Sequence, residues 1–171
     1  MAKGQLGISA LKDGKAGVPT AFDDRKRWAF IEFPKIHDPR GNLTPIEGGK
    51  HIPFEIRRVY YLYDVPGGST RAGHAHRKLH QVFLALSGSF DLHLDDGYRQ
   101  EKIFLSRPNI GLYVRPGVWR LIENFSSGAL CFVLASEPYD EADYIRSPDE
   151  FRRYADGTRD KACAPAADGF A

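Results

Sequence analysis

From residue 28 to residue 136 the chain alternates short apolar and aromatic runs with turn-forming clusters, and this spacing predicts strands almost throughout. Trp28 to Ile36 (WAFIEFPKI) is β-prone, with Pro34 restricting it to an edge or a bulged strand. Asp38-Pro39-Arg40-Gly41-Asn42 reads as a turn, followed by a short strand from Leu43 to Glu47. Arg57 to Val65 (RRVYYLYDV) closes at Pro66-Gly67-Gly68, and a strand carrying His74 and His76 follows. Ser87-Gly88 separates the runs Gln81 to Leu86 and Ser89 to Leu94, and Asp95-Asp96-Gly97 is a hairpin-type turn into Gln100 to Leu105. Past Arg107-Pro108-Asn109, the runs Gly111 to Arg115 and Arg120 to Phe125 flank Pro116-Gly117. Ala129 to Ser136 (ALCFVLAS) is continuously apolar, as in a strand buried on both faces. Strands this short, with turn chemistry every 8 to 12 residues or so, predict a sandwich or barrel.

One helix is signalled after the strands. Ser147 is a candidate N-cap, Pro148 occupies the first helical position and Glu150 completes a capping box ahead of Phe151 and Tyr154. Residues 1–27 mix Gly, Lys, Asp and Ala without period and predict a flexible extension. Residues 156–171 lack an apolar face and predict a disordered tail, leaving one domain over 28–155.

Composition narrows the function classes. A net charge of +2 over 171 residues, without a basic stripe, argues against nucleic acid as a partner. Cys131 lies in an apolar run and Cys163 in a polar stretch, so a disulfide framework is not expected and a reducing compartment fits. The sequence around Met1 to Gly7 lacks the apolar core of a secretory signal, and there is no run long enough to span a bilayer; the expectation is a cytoplasmic protein without membrane contact.

The candidate chemistry concentrates in Arg71-Ala72-Gly73-His74-Ala75-His76-Arg77-Lys78-Leu79-His80-Gln81. Side chains alternate along a strand, so His74 and His76 share a face. If that face lines a closed sheet, two imidazoles overlook one cavity, each able to accept and donate a proton near neutral pH. His80 has the same parity, but a turn before it would break the relation.

The HxH pair followed by Gln81 and Gly88, with Gly111, Pro116 and Asn124 further on, resembles the two motifs of cupins. In metal-binding cupins the ligands are two His, one Glu and a further His. Here Gln81 stands where the Glu is expected and Arg120 where the second-motif His is expected. An amide is a poor ligand and a guanidinium repels a cation, so no metal site is expected and the histidines are released for proton transfer.

With these motifs in place the chain resembles the sugar-nucleotide 3,4-ketoisomerases. The residues that carry the likeness are Pro39-Arg40-Gly41-Asn42-Leu43, Ile52-Pro53-Phe54, Arg58-Val59-Tyr60-Tyr61, Arg71 with His74-Ala75-His76, Leu94-Asp95-Asp96-Gly97 and Gly111-Leu112-Tyr113-Val114. Trp119, Val133-Leu134-Ala135-Ser136, Tyr139-Asp140-Glu141-Ala142-Asp143-Tyr144-Ile145-Arg146 and Glu150-Phe151 extend it. The resemblance implies an all-β cupin double-stranded β-helix (a jelly-roll barrel) with one short C-terminal helix. It further implies a homodimer that exchanges the N-terminal strand near Trp28 to Ile36.

The activity implied is movement of the ketone of a dTDP-linked 4-keto-6-deoxyhexose from C4 to C3 through an enediol(ate), without a cofactor. This is a step toward deoxyamino sugars such as those of lipopolysaccharide O-antigen. His74 and His76 are the expected catalytic acid and base, in an order the sequence leaves open. Arg40, Arg58, Arg71 and Arg120 suit diphosphate or enediolate oxygens, and Tyr60, Tyr113 and Gln81 the base or the sugar. The members that this chain resembles have a histidine after the tryptophan at 119. Arg120 in its place can stabilise the enediolate, lower a histidine pKa by like-charge repulsion, or accompany a different stereochemical outcome. A related epimerase and a non-catalytic sugar-nucleotide-binding cupin are the alternatives.

Overall fold

The structure, a computed structural model, describes residues 26–163. The predicted flexible extension over 1–27 lies almost wholly outside these residues, as does the end of the predicted tail. Twelve strands form two five-stranded sheets and a small hairpin. The first sheet has the order β1 (Trp28–Glu32), β9 (Ile110–Val114), β6 (Gln81–Ser87), β11 (Leu130–Ala135), β4 (Arg58–Leu62). The second has the order β12 (Tyr144–Ile145), β5 (Arg71–His76), β10 (Trp119–Glu123), β7 (Phe90–Asp95), β8 (Gln100–Leu105). All pairings within the two sheets are antiparallel.

The two sheets face each other over one core. Phe83, Leu112, Cys131 and Val133 of the first sheet meet Phe90, Leu92, Leu94, Ile103 and Ile122 of the second. Each such side chain taken fully out of water contributes about 1.5–3 kcal/mol, which closes the barrel at this end. A second cluster lies on the outer face of the first sheet, where Ile31, Val82, Leu84, Tyr113 and Leu134 are covered by Ile52 and Phe54 from the segment before β4. Leu134 and Val133 are therefore buried on opposite faces of β11, as its continuous apolar run predicts. Two facing antiparallel sheets closed over one core are the cupin-like jelly-roll architecture expected from the sequence.

Some elements differ from the sequence reading. The strand expected over Leu43 to Glu47 is instead the hairpin of β2 (Ile36–Asp38) and β3 (Gly41–Leu43), because the turn falls at Pro39-Arg40 and leaves residue 43 as the last to pair. Helix α1 runs Pro148–Cys163, past the boundary expected at 155. Thr158 supports the extension by donating its hydroxyl to the carbonyls of Tyr154 and Ala155. At its start Ser147 Oγ accepts from the Glu150 N–H as predicted, while the Glu150 carboxylate, expected to complete a capping box, pairs with Arg77. Phe151 and Tyr154 pack with Ala75, Trp119 and Ile145 on the outer face of the second sheet. No helix among the described residues is long and apolar enough to cross a membrane.

Candidate active site

The site is built from facing strands. Arg120 on β10 stands in register with His74 on β5 and with Leu94 on β7. Leu94 belongs to the core between the sheets, so the shared face of Arg120 and His74 points inward. His76, two residues on, keeps that face and pairs with Tyr144. From the opposing sheet, Tyr60 is in register with the core residue Val133, and Gln81 with the core residue Val114. Arg58 is in register with Ala135, two positions along from Tyr60.

The histidine strand is bulged where it enters the site. Leu121 pairs with Ala72 although Arg120 pairs with His74, and Ala72 (φ 68°) and Gly73 (φ 77°) both adopt the left-handed region. Residues 71 and 74 would face opposite ways in a regular strand. The extra residue sets Arg71 opposite Ile122, on the barrel side like His74. Glycine meets this conformation without cost, and Ala72 carries the strain.

The rings are packed together. The His74 and His76 centroids lie 4.9 Å apart with planes near perpendicular at 88°. Tyr144 lies 4.8 Å from His74 and 4.2 Å from His76. Tyr139 approaches Tyr144 at 5.7 Å and sits under the Arg58 guanidinium, which also lies over Tyr60. Gln81 donates its amide N–H to the Tyr60 hydroxyl at 2.6 Å. His76 is 1% exposed, and its Nδ1 is 2.9 Å from Asp143 Oδ2. That oxygen lies off the ring N–H direction, so the contact is an electrostatic pairing and not an aligned hydrogen bond.

Burial and one cation set the electrostatics. Arg120 is 1% exposed; burial lowers its pKa to about 10, which leaves it protonated at neutral pH. Burial, with Arg120 adding like-charge repulsion, lowers His74 to about 3, so this imidazole is neutral throughout the physiological range. Burial raises the Tyr60 phenol to about 12, against the pull of Arg120 and Arg58. Arg58 Nε, Gln81 Oε1 and Arg120 Nη2 are buried without a hydrogen-bond partner among the described residues. Polar atoms left so are costly, at about 1–3 kcal/mol each, unless a ligand or water meets them. This inward-facing cluster therefore offers donors, positive charge and neutral imidazole, a set suited to a developing oxyanion beside a carbon acid.

Of the residues expected from sequence, His74, His76, Arg58, Tyr60, Gln81 and Arg120 come together here. Arg71 takes its place at the exposed start of β5. Tyr113, expected to contact substrate, lies on the outer face of the first sheet with Val82 opposite, bonded through its hydroxyl to His80 Nδ1 at 2.6 Å. The strand β9 is buried on both sides, so its alternation gave no clue to which side faces the barrel interior. Arg40 is also apart, at the hairpin tip, where it is exposed and paired with Asp38 at 2.7 Å. Conversely, Asp143, Tyr139 and Tyr144 line the site without having been expected. Their segment, Tyr139-Asp140-Glu141-Ala142-Asp143-Tyr144, is among those that carry the family likeness, but no role at the site was drawn from it. Among the described residues, no three His, Cys, Asp or Glu side chains are grouped so as to hold a metal ion.

Comparison with known proteins places this geometry among related chains. Residues 26–156 match the family model FdtA, described as WxcM-like, C-terminal. A TDP-4-oxo-6-deoxy-alpha-D-glucose-3,4-oxoisomerase of Aneurinibacillus thermoaerophilus is 51% identical over 124 residues, covering 72% of this chain and 89% of that one. A point mutant of the 3,4-ketoisomerase QdtA from Thermoanaerobacterium thermosaccharolyticum, in complex with TDP-4-keto-6-deoxyglucose, superposes with a TM-score of 0.75 at 45% identity, over 77% of this chain and 95% of the other. The TDP-quinovose 3,4-ketoisomerase WlaRB from Campylobacter jejuni gives a TM-score of 0.72 at 48% identity, over 75% and 98%.

Proposed function

The chain belongs to the FdtA family, and from that premise we propose that it is a sugar-nucleotide 3,4-ketoisomerase acting on a dTDP-linked 4-keto-6-deoxyhexose. The observation that carries the reading is the pair of inward-facing imidazoles, 4.9 Å apart, set beside a buried Arg120 and across from Tyr60 and Gln81. The 4-ketone acidifies the proton on C3. One imidazole removes that proton, and the electron pair moves to give an enediolate across C3 and C4. A proton is then delivered to C4 and the proton of the C3 hydroxyl passes through the site to O4, leaving the ketone at C3 and a hydroxyl at C4. No net oxidation occurs, so neither a nicotinamide nor a metal is required by the balance.

Each positioned acid or base contributes about 10²- to 10⁴-fold. Arg120 stabilises the oxyanion through a charge already in place before reaction. Tyr60 and Gln81 bind the hexose, and Arg58 and Arg71 its diphosphate. The product, a 3-keto sugar, is a substrate for amination toward a 3-amino-3,6-dideoxyhexose, of the kind built into lipopolysaccharide O-antigen. The free, buried thiol of Cys131 supports a cytoplasmic location.

The reading includes a homodimer with the N-terminal strand exchanged. Its support is exposed apolar surface on the β2–β3 hairpin, at Ile36 and Leu43, and on the edge strand β4 and its continuation, at Val59, Tyr61 and Tyr63. In such a dimer the hairpin carries Arg40 toward the partner's nucleotide. Ile36→Asp combined with Leu43→Asp is expected to give a monomer by sedimentation velocity; an intact dimer would move the interface elsewhere. The activity itself is tested by ¹H and ¹³C NMR of the product formed from TDP-4-keto-6-deoxyglucose. A ketone at C3 is expected, and a ketone kept at C4 with C3 or C5 inverted would make the protein an epimerase.

A further inference from the structure

His76 is the more deeply buried ring of the pair, and its backbone and side chain are tied to a segment distant in sequence. The Arg77 N–H donates to the Asp143 carbonyl at 2.9 Å, and the Lys78 N–H donates to Asp143 Oδ1 at 2.7 Å. The carboxylate of Asp143 is thus fixed by the chain that leaves His76, and its second oxygen, Oδ2, is the one 2.9 Å from His76 Nδ1. Asp143 itself closes a short 3₁₀ turn, Glu141–Asp143, capped by the Asp140 side chain accepting from the Ala142 N–H. Its neighbour Tyr144 pairs with His76 across β12 and β5 and packs on both imidazoles. On the other side the His76 carbonyl accepts from the Gly117 N–H at 2.7 Å.

We propose that Asp143 is the positioning residue of His76, holding its ring as the Nδ1–H tautomer and thereby leaving Nε2 as the nitrogen that exchanges a proton with the substrate. An ionised carboxylate has acceptors only, so the nitrogen facing Oδ2 is the one that carries hydrogen. The two oxygens divide the work: one is held by the Lys78 N–H and the other meets the imidazole. The pairing, off-axis in the free protein, aligns when substrate settles the ring, as catalytic hydrogen bonds commonly tighten in the complex. Among the described residues His74 has no carboxylate at ion-pair distance, and it stands in register with Arg120 instead.

The catalytic consequence rests on the ketoisomerase reading, but the tautomer is a property of the free protein. Asp143→Asn is the informative variant. Its amide has one acceptor oxygen; with that oxygen kept by the Lys78 N–H, the amino group faces Nδ1, which must then be unprotonated. The experiment is ¹⁵N NMR of ring-labelled histidine in the full chain, with steady-state kinetics alongside. The wild type is expected to show His76 protonated at Nδ1, and Asp143→Asn to shift it to the Nε2–H form. In the same variant kcat should fall about 10²- to 10⁴-fold while KM changes little. Asp143→Glu, which keeps the charge, should recover part of the loss. Wild-type His76 found as the Nε2–H tautomer would overturn the proposal, as would a loss of kcat in Asp143→Asn without any change of tautomer. If Asp143→Asn does not fold, the wild-type spectrum decides alone. A wild type with no isomerase activity would instead sink the ketoisomerase reading and leave the spectrum to judge Asp143.

Discussion

The two faces of the first sheet each carry a polar cluster with a tyrosine hydroxyl at hydrogen-bond distance from another side chain, and they are built to opposite ends. On the outer face His80 is bonded to the Tyr113 hydroxyl, its backbone N–H donates to Ser136 Oγ and its carbonyl accepts from the Ser136 N–H. The rings of His80 and Tyr113 lie parallel within 6°, and Phe54 covers them. On the inner face the Tyr60 hydroxyl is taken by Gln81, yet Gln81 Oε1, Arg58 Nε and Arg120 Nη2 are buried with nothing among the described residues to bond. Burial lowers the pKa of both His80 and His74, so a shifted titration alone does not separate the clusters. What separates them is satisfaction: the outer cluster is closed on itself and stabilises, whereas the inner one holds unmet donors and a buried charge for something that binds.

That contrast is broken or sharpened most strongly by removing the inner histidines. His74→Ala and His76→Ala should each lower kcat about 10²- to 10⁴-fold, while His80→Ala leaves kcat within a few-fold, as read by initial rates of product formation. Comparable losses from all three would erase the distinction. Arg120→Gln comes next: kcat should fall about 10²- to 10³-fold as the oxyanion loses its preset charge. The same substitution removes the like charge beside His74, so the His74 pKa should rise, a shift that an NMR titration of the imidazole protons detects.

Smaller still, Tyr113→Phe deletes the bond to His80 and should cost about 1 kcal/mol in urea unfolding without changing kcat. The least effect is on the pH dependence of stability. Folded His74 stays neutral to about 3, whereas the unfolded residue protonates near its ordinary value of 6.5. The unfolded state therefore binds the extra proton as pH falls below about 6.5, and this component of stability, complete above that pH, is lost progressively on acidification. The urea midpoint of the wild type should drop more between pH 7 and pH 5 than that of His74→Gln.

The same contrast explains what was legible from the sequence. Period-two alternation and turn residues placed most strands of the two sheets, because their inward positions are apolar and their connections tight. The inner cluster was readable where a motif fixed its parity: His74 and His76 share a face whatever the fold. Tyr113, expected at the base or the sugar, lies on the outer face, a placement hydrophobicity could not reveal because Ile110–Val114 is buried on both sides. Arg71 needed the bulge at Ala72-Gly73 to come round to the barrel side, a step visible in the sequence only as a glycine before the histidines. The wall holding Asp143 and Tyr144 was missed for a different reason. A two-residue strand and a three-residue turn have no periodicity, and an acidic loop looks solvated until long-range contacts from Arg77 and Lys78 draw it over His76.

Uptake of solvent deuterium during turnover tests the division of labour between the two faces most directly. In D₂O with TDP-4-keto-6-deoxyglucose, and without added metal or nicotinamide, the wild type and His80→Ala should place deuterium on the hexose ring as the ketone moves to C3, and His74→Ala should not. Label entering as fast in His74→Ala as in the wild type would contradict the account, because the inner imidazole would then have no part in moving the proton.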